Sequence, residues 1–303
     1  MSTGTKLSPR LSAILQAVFV TFLWSTSWVL IKIGLQSHLP PLTFAGLRYT
    51  LAFLSLAPFI LTKKEERNNF LKLTKKQWIN LTLLGIVFYT FTQGTQFLSL
   101  AYLPAAMVSM LLNLTSIFVA IAGIVLLKET PSPIQWAGVI IAVAGISVYF
   151  LPNALPETQY WGIAIALLCV ASNTASALFG RHINHKSGLS PILVTFVSMG
   201  IGALLLLAAG LLFQGAGQVS LTDWGIIIWL ALINTALAFT LWNKSLKILT
   251  AVESSILNSL MLPQIAILAL IFLGEDLSVK EIIGLVLVSA GVLIVQLKRK
   301  TRA

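Results

Sequence analysis

Residues 105–145 read AAMVSMLLNLTSIFVAIAGIVLLKETPSPIQWAGVIIAVAG, and residues 251–291 read AVESSILNSLMLPQIAILALIFLGEDLSVKEIIGLVLVSAG. At a shift of 146 positions, Ala105 falls on Ala251, Ser109 on Ser255 and Ala120 on Ala266. Glu129 falls on Glu275, Ser132 on Ser278, Gly138 on Gly284, and Ala144-Gly145 on Ala290-Gly291. The register runs without a gap from about 73 to 150, carrying Trp78 onto Trp224. Upstream, Ser25 roughly matches Ser172, and Pro41 matches Pro191 with a small gap. The chain therefore repeats one unit: residues 1–151 form the first copy and residues 152–303 the second.

Each copy is apolar enough for lipid. Of 303 residues, 57% are hydrophobic and 10% charged, and the mean hydropathy is +0.92. Soluble domains carry about 25% charged and about 45–50% apolar residues. The composition excludes a soluble globular domain, a disordered chain and a disulfide scaffold. The single cysteine, Cys169, sits in an apolar run and reads as a packing residue. A bilayer crossing needs about 20 apolar residues. Ten segments qualify, near 12–34, 40–62, 77–98, 104–127, 134–151, 160–180, 190–213, 223–243, 252–273 and 279–297. The first follows Lys6 and Arg10, as a signal peptide would, but runs about 22 residues into Lys32 with no small-x-small cleavage pattern. It reads as a membrane helix that stays.

Charge orients the spans. The N-terminus, the 63–76 loop, Lys128, Arg181, Lys186, Lys244, Lys247 and the tail hold 17 of the 20 basic residues, all on one side. By the positive-inside rule both termini are cytoplasmic. The net charge of +11 is thus a topology signal, and no nucleic-acid partner is expected. Five spans per copy is an odd number, so the second copy lies inverted. Inverted repeats mark secondary transporters, whose substrate site lies between the halves near the midplane. The expected fold is an all-α polytopic membrane protein of ten helices in two inverted five-helix repeats.

Several local motifs carry a family resemblance. Leu23-Trp24-Ser25-Thr26-Ser27-Trp28 leads to Ile31-Lys32 in span 1, and Pro41 to Tyr49 (PLTFAGLRY) opens span 2. Ala101-Tyr102-Leu103-Pro104-Ala105-Ala106 enters span 4, and Leu127-Lys128-Glu129-Thr130 closes it. Leu273-Gly274-Glu275-Asp276 closes span 9, downstream of Pro263. In order and spacing, over nearly the whole chain, the sequence resembles the drug/metabolite transporter superfamily, EamA-domain type. The resemblance implies export or exchange of small metabolites or drugs through a central cavity. Spans 1, 3, 4, 6, 8 and 9 would line it, with spans 5 and 10 as support.

The residues divide by chemistry. Gly138/Gly145 and Gly284/Gly291 lie seven apart, about two helical turns, and read as helix packing seams. Trp24, Tyr89 and Trp242 offer flat walls, and Asn113, Asn173 and Asn258 neutral hydrogen bonds; these six are the expected substrate contacts. Trp78, Trp136, Trp161 and Trp224 fall at span ends and read as interfacial belt residues. Lys32 lies near the external end of span 1, and Arg48 about eight residues into span 2. A cation at mid-membrane costs about 3 kcal/mol on insertion scales. The pair either attracts a substrate carboxylate and steers gating, or snorkels and fixes the fold. Glu129 and Glu275 read as caps on neighbouring helices, or as gating latches. Pro263 is expected to kink span 9.

What is missing narrows the function. No Asp, Glu or His lies in the middle of a span. The distantly related four-span multidrug exporters use an embedded Glu to couple protons to cationic drugs, so a proton-coupled multidrug exporter is the weaker alternative. An organic-anion or sugar-phosphate exchanger would need several midplane cations in both halves, and only Lys32 and Arg48 are available. A neutral or zwitterionic small molecule, such as an amino acid, fits best. His182 and His185 are three apart with no third ligand, so no metal, cofactor or enzyme chemistry is expected. The partners are a small-molecule substrate and the lipid bilayer; the oligomeric state is left open, a monomer being compatible. The ten-span form without a targeting segment points to a bacterial-type plasma membrane.

Overall fold

The computed structural model describes residues 8–37, 39–127, 132–150, 156–186, 188–246, 248–249 and 251–296. All regular structure among them is helical, as lipid demands of a spanning backbone that must satisfy its own hydrogen bonds. The order is α1 (Pro9–Gln36), α2 (Pro41–Thr62), α3 (Lys64–Leu71), α4 (Lys75–Leu84), a π-helical segment π1 (Gly85–Thr92), α5 (Gln93–Tyr102), α6 (Ala105–Leu127) and α7 (Pro133–Phe150). Then come α8 (Glu157–Lys186), α9 (Pro191–Phe213), α10 (Leu221–Ala231), a second π-helical segment π2 (Leu232–Leu237), α11 (Ala238–Leu246), α12 (Ala251–Ser259), α13 (Met261–Leu273) and α14 (Val279–Gln296).

Eight runs are long and apolar enough to cross a membrane. The all-helical polytopic fold is as expected; of the ten expected segments, eight meet that measure among the described residues. The two that do not are 75–102, helical throughout as α4, π1 and α5, and α6, which counts as a shorter apolar stretch, Ala105–Val119, among the described residues. The 63–76 loop also differs from expectation: it contains α3. Ser190 Oγ donates to Glu66 Oε2 on that helix at 2.6 Å, tying it to the start of α9.

The helix ends explain themselves. Proline opens α1, α2 and α9, where its missing N–H would have no partner anyway. Gly274 ends α13 at φ 63°, a left-handed position that glycine fills without strain. Reciprocal capping boxes start α4 (Thr74 with Gln77) and α10 (Ser220 with Asp223). The same exchange starts α7 (Ser132 with Gln135) and α14 (Ser278 with Glu281). Both pairs of boxes are separated by the 146-residue repeat. The expected break in span 9 is present at Leu260, between α12 and α13. Pro263 lacks the N–H that would bond back to Ser259.

Corresponding helices of the two halves pack against each other. A Cβ on Gly145 would lie 2.8 Å from the Gly284 carbonyl oxygen, and one on Gly284 would lie 2.8 Å from that of Gly145. Along α2 and α9, Gly46 faces the Leu207 backbone, Gly210 faces Thr43, and Gly200 faces the Phe53 ring. In each pair one number rises as the other falls, so both contacts are antiparallel. The glycine seam expected in spans 5 and 10 is thus observed, with a second one joining α2 to α9.

The two ends of the bundle are distinct. At one, Ser37 Oγ donates to Asp223 Oδ1 at 2.6 Å, Thr43 Oγ1 to the Gly215 carbonyl at 2.7 Å, and the Leu42 N–H to Gln214 Oε1 at 2.8 Å. The other holds the Arg10–Glu253 ion pair and the Lys/Arg-rich segment around α3.

Candidate functional site

The polar centre is built by α2, π1, α5 and π2. Arg48 is 5% exposed. Its Nε and Nη2 donate to one acceptor, Thr235 Oγ1, at 3.4 and 3.3 Å, the long end of hydrogen-bond geometry. Its guanidinium lies 5.0 Å from the Tyr49 ring centroid and 5.9 Å from that of Phe97, within cation–π range. Tyr49 donates from its hydroxyl to Gln93 Oε1 at 2.5 Å. No carboxylate pairs with Arg48 among the described residues.

The two π-helical segments present residues to this centre. A π turn widens the helix by one residue and recurs at functional sites. Thr92 Oγ1 donates to the Val87 carbonyl and Thr235 Oγ1 to the Leu230 carbonyl, each at 2.9 Å and five residues back. Thr92 therefore satisfies a carbonyl within π1, and Thr235 one in the last turn of α10, just ahead of π2. Tyr89 of π1 and Thr235 of π2 are separated by the repeat distance of 146. Both reach the Arg48–Tyr49 pair: Thr235 by hydrogen bond, Tyr89 by an edge contact to Tyr49 at 5.7 Å between centroids. Asn234, fully buried, donates to the Leu23 carbonyl and to Thr26 Oγ1, and its Oδ1 has no partner among the described residues.

A cavity of about 340 Å³ adjoins this centre, walled by Phe88, Tyr89, Asn173, Ser176, Thr195, Ser198 and Phe239 among others. Tyr89 thus lines the cavity and also touches Tyr49, the neighbour of the Arg48 guanidinium. The walls come from the segments expected as spans 3, 6, 7 and 8. Span 7 was not expected to line it, and in this cavity spans 1, 4 and 9 do not. Leu84, Gly180 and Val194 also line it, which sets it in the half of the bundle nearer the basic end.

The sequence-derived residues distribute as follows. Tyr89 and Asn173 share the cavity, and Asn173 Nδ2 donates to Thr115 Oγ1 at 3.3 Å. Trp24 and Trp242 meet each other at 5.1 Å between centroids. Phe239, a cavity wall, also contacts Trp24, at 5.4 Å. Asn113 donates to the Ser109 carbonyl of its own helix at 2.8 Å. Asn258 is exposed on α12. Lys32 is half-buried and feels the Glu275 carboxylate without an ion-pair contact. Glu275 accepts from the Ala105 N–H at 2.7 Å and the Ala106 N–H at 3.2 Å. That caps α6, the capping geometry expected of it. Glu129 lies outside the described residues. Thr235, Thr92, Thr195 and Ser198 were missed. The first three have no flanking pattern that marks them. The 146-residue shift, applied to Tyr89, would have found Thr235.

An all-helical bundle whose like helices pack antiparallel beside a buried polar centre has the architecture of membrane transporters. The EamA-like transporter family model matches residues 11–151 and again residues 160–297, and the chain belongs to that family. It is 28% identical over 294 residues, 92% of each chain, to a "Probable amino-acid metabolite efflux pump" of Salmonella typhimurium. To the uncharacterized transporter YvbV of Bacillus subtilis it is 24% identical over 300 residues, 98% of this chain and 95% of that one. A solved crystal structure shares the fold at TM-score 0.66 and 18% identity, covering 94% of this chain and 97% of the other.

Proposed function

We propose that this protein is a secondary transporter that exports or exchanges small neutral or zwitterionic metabolites, amino acids foremost, by alternating access. The observation that carries the reading is the antiparallel packing of corresponding helices, α2 on α9 and α7 on α14, beside a buried polar centre. Two like units of opposite orientation can exchange conformations, so the site opens to either face. The name of the Salmonella relative supports an amino-acid-like substrate. Among the described residues, no group of three or more His, Cys, Asp or Glu is placed to hold a metal.

The halves are 1–151 and 152–303, with both termini cytoplasmic in a bacterial-type plasma membrane, the basic end facing inward. In that orientation the cavity lies toward the cytoplasm. The outer end is held by the Glu275 cap on α6 and the Ser37–Asp223 bond. Tyr89, Asn173, Trp24 and Trp242 form the substrate walls, with Asn113 and Asn258 on helices that approach them as the halves rock. Lys32, Arg48, Glu129 and Glu275 set the charge along the path.

The test is uptake and counterflow in proteoliposomes with a labelled amino-acid mixture, with and without an imposed pH gradient. Unlabelled substrate should accelerate exchange. The rate should not follow the pH gradient, because no carboxylate lies mid-span to relay protons. No exchange of any amino acid would sink the substrate class.

A further inference from the structure

The Arg48 guanidinium is under-used. Arginine carries five N–H donors, and only two of its N–H groups point at protein, both toward the same Thr235 oxygen. Nη1 makes no hydrogen bond among the described residues, yet it is not one of the fully buried unpartnered atoms, so it keeps open space beside it although the residue as a whole is 5% exposed. A buried ion usually persists only where hydrogen bonds or countercharge compensate it. Its nearest aromatic neighbours, Tyr49 and Phe97, lie within cation–π range and supply no acceptor for the free N–H groups. A fork of this shape matches the two oxygens of a carboxylate. There is one fork and no second cation bonded nearby, so the complementary ligand is a monoanion. Phe88 and Tyr89 line the nearby cavity, and from its Tyr89 wall the contacts run through the Tyr49 ring to the Arg48 guanidinium.

We propose that Arg48 is a carboxylate subsite, entered from the cavity past the Tyr89 ring, and that the ligands are amino acids with one carboxylate and a flat apolar body. The route rests on the transporter reading above; the binding does not. Turning the Tyr89 side chain would open that route, and the carboxylate would then take the free N–H groups while the aromatic body rests against Phe88.

The experiment uses purified full-length protein in nanodiscs and three probes of one shape: 3-phenylpropionate, 3-phenylpropionamide and 2-phenylethylamine. Equilibrium binding is measured for each by calorimetry. The acid should bind about tenfold or more tightly than the amide and the amine, the range of a charge-assisted hydrogen bond. In R48Q that preference should vanish while the amide binds as before; R48K should restore part of it. If R48Q does not fold, the acid-against-amide comparison on the unaltered protein still decides. Equal binding of acid and amide, or a preference that survives R48Q, overturns the subsite. Counterflow in proteoliposomes separates the two readings. An acid preference without flux keeps the subsite and sinks the transporter reading; flux without an acid preference does the reverse.

Discussion

Gly138 and Gly291 occupy each other's backbone. A Cβ on Gly138 would lie 2.8 Å from the Gly291 carbonyl oxygen, and one on Gly291 would lie 2.6 Å from that of Gly138. No flexible side-chain tip can yield at either contact, so the helices themselves must part. Gly138→Ala and Gly291→Ala should each lower stability by about 1–3 kcal/mol, the usual cost of overpacking. Gly225 is the control: it is helical, and a Cβ there meets nothing within 4 Å. Gly225→Ala should be neutral or should stabilise by up to about 1 kcal/mol, since alanine is the better helix former. Thermal unfolding of the detergent-solubilised protein reads all three. Equal melting of Gly138→Ala and Gly225→Ala would remove the seam from the argument.

Glu275 spans from the end of α13 to the start of α6 and accepts two of its free N–H groups. A carboxylate there also meets the positive end of the helix dipole. Glu275→Ala should cost about 1–2 kcal/mol, as other lost N-terminal caps do. Glu275→Gln keeps a single acceptor and should fall between. Asp276→Ala, at the exposed neighbouring position, should change the melting temperature little. A Glu275→Ala protein as stable as the parent would mean that the cap is redundant.

The repeat, the helical class and the glycine seams were legible in the sequence, because residue type alone carries them: small residues at a fixed spacing in apolar runs have few other uses in lipid. The capping role of Glu275 was also legible, from its position just past a span. Side-chain direction was not. Asn113 and Asn173 look alike in sequence, yet one bonds its own helix and the other lines a cavity. The π turns were illegible because no residue pattern demands them; they arise where tertiary packing lets one extra residue into a turn. Thr235 stands 187 residues from Arg48, so only the folded chain, or the repeat shift applied to Tyr89, brings it forward.

The paired threonines of the π turns give a direct test of those turns. Thr92 and Thr235 each bond the carbonyl five residues back, and valine matches threonine in shape while removing the hydroxyl. Thr92→Val should cost about 1–3 kcal/mol, the penalty of leaving a buried partner unmet. Thr235→Val should cost more, because the same oxygen accepts from Arg48. Serine at either position keeps the hydroxyl and should recover most of the loss. Thermal unfolding ranks the four variants. If both valine variants melted with the parent, the hydroxyls would not hold the π turns.

Asn173 is the polar side chain that best discriminates a substrate wall from a helix tie. It lines the cavity beside Tyr89 and makes a 3.3 Å bond to Thr115, a weak contact that leaves its amide able to turn toward a ligand. Asn173→Ala should therefore raise the KM of counterflow several-fold at nearly unchanged stability, since a neutral hydrogen bond is worth about 0.5–1.5 kcal/mol. Asn113 bonds the Ser109 carbonyl at 2.8 Å and is not among the residues lining that cavity. Asn113→Ala should alter KM less. The comparison uses initial rates over a range of external substrate in proteoliposomes, corrected for reconstituted protein. If Asn113→Ala raised KM and Asn173→Ala did not, the substrate path would run along α6, and the cavity beside Tyr89 would be a packing defect between helices.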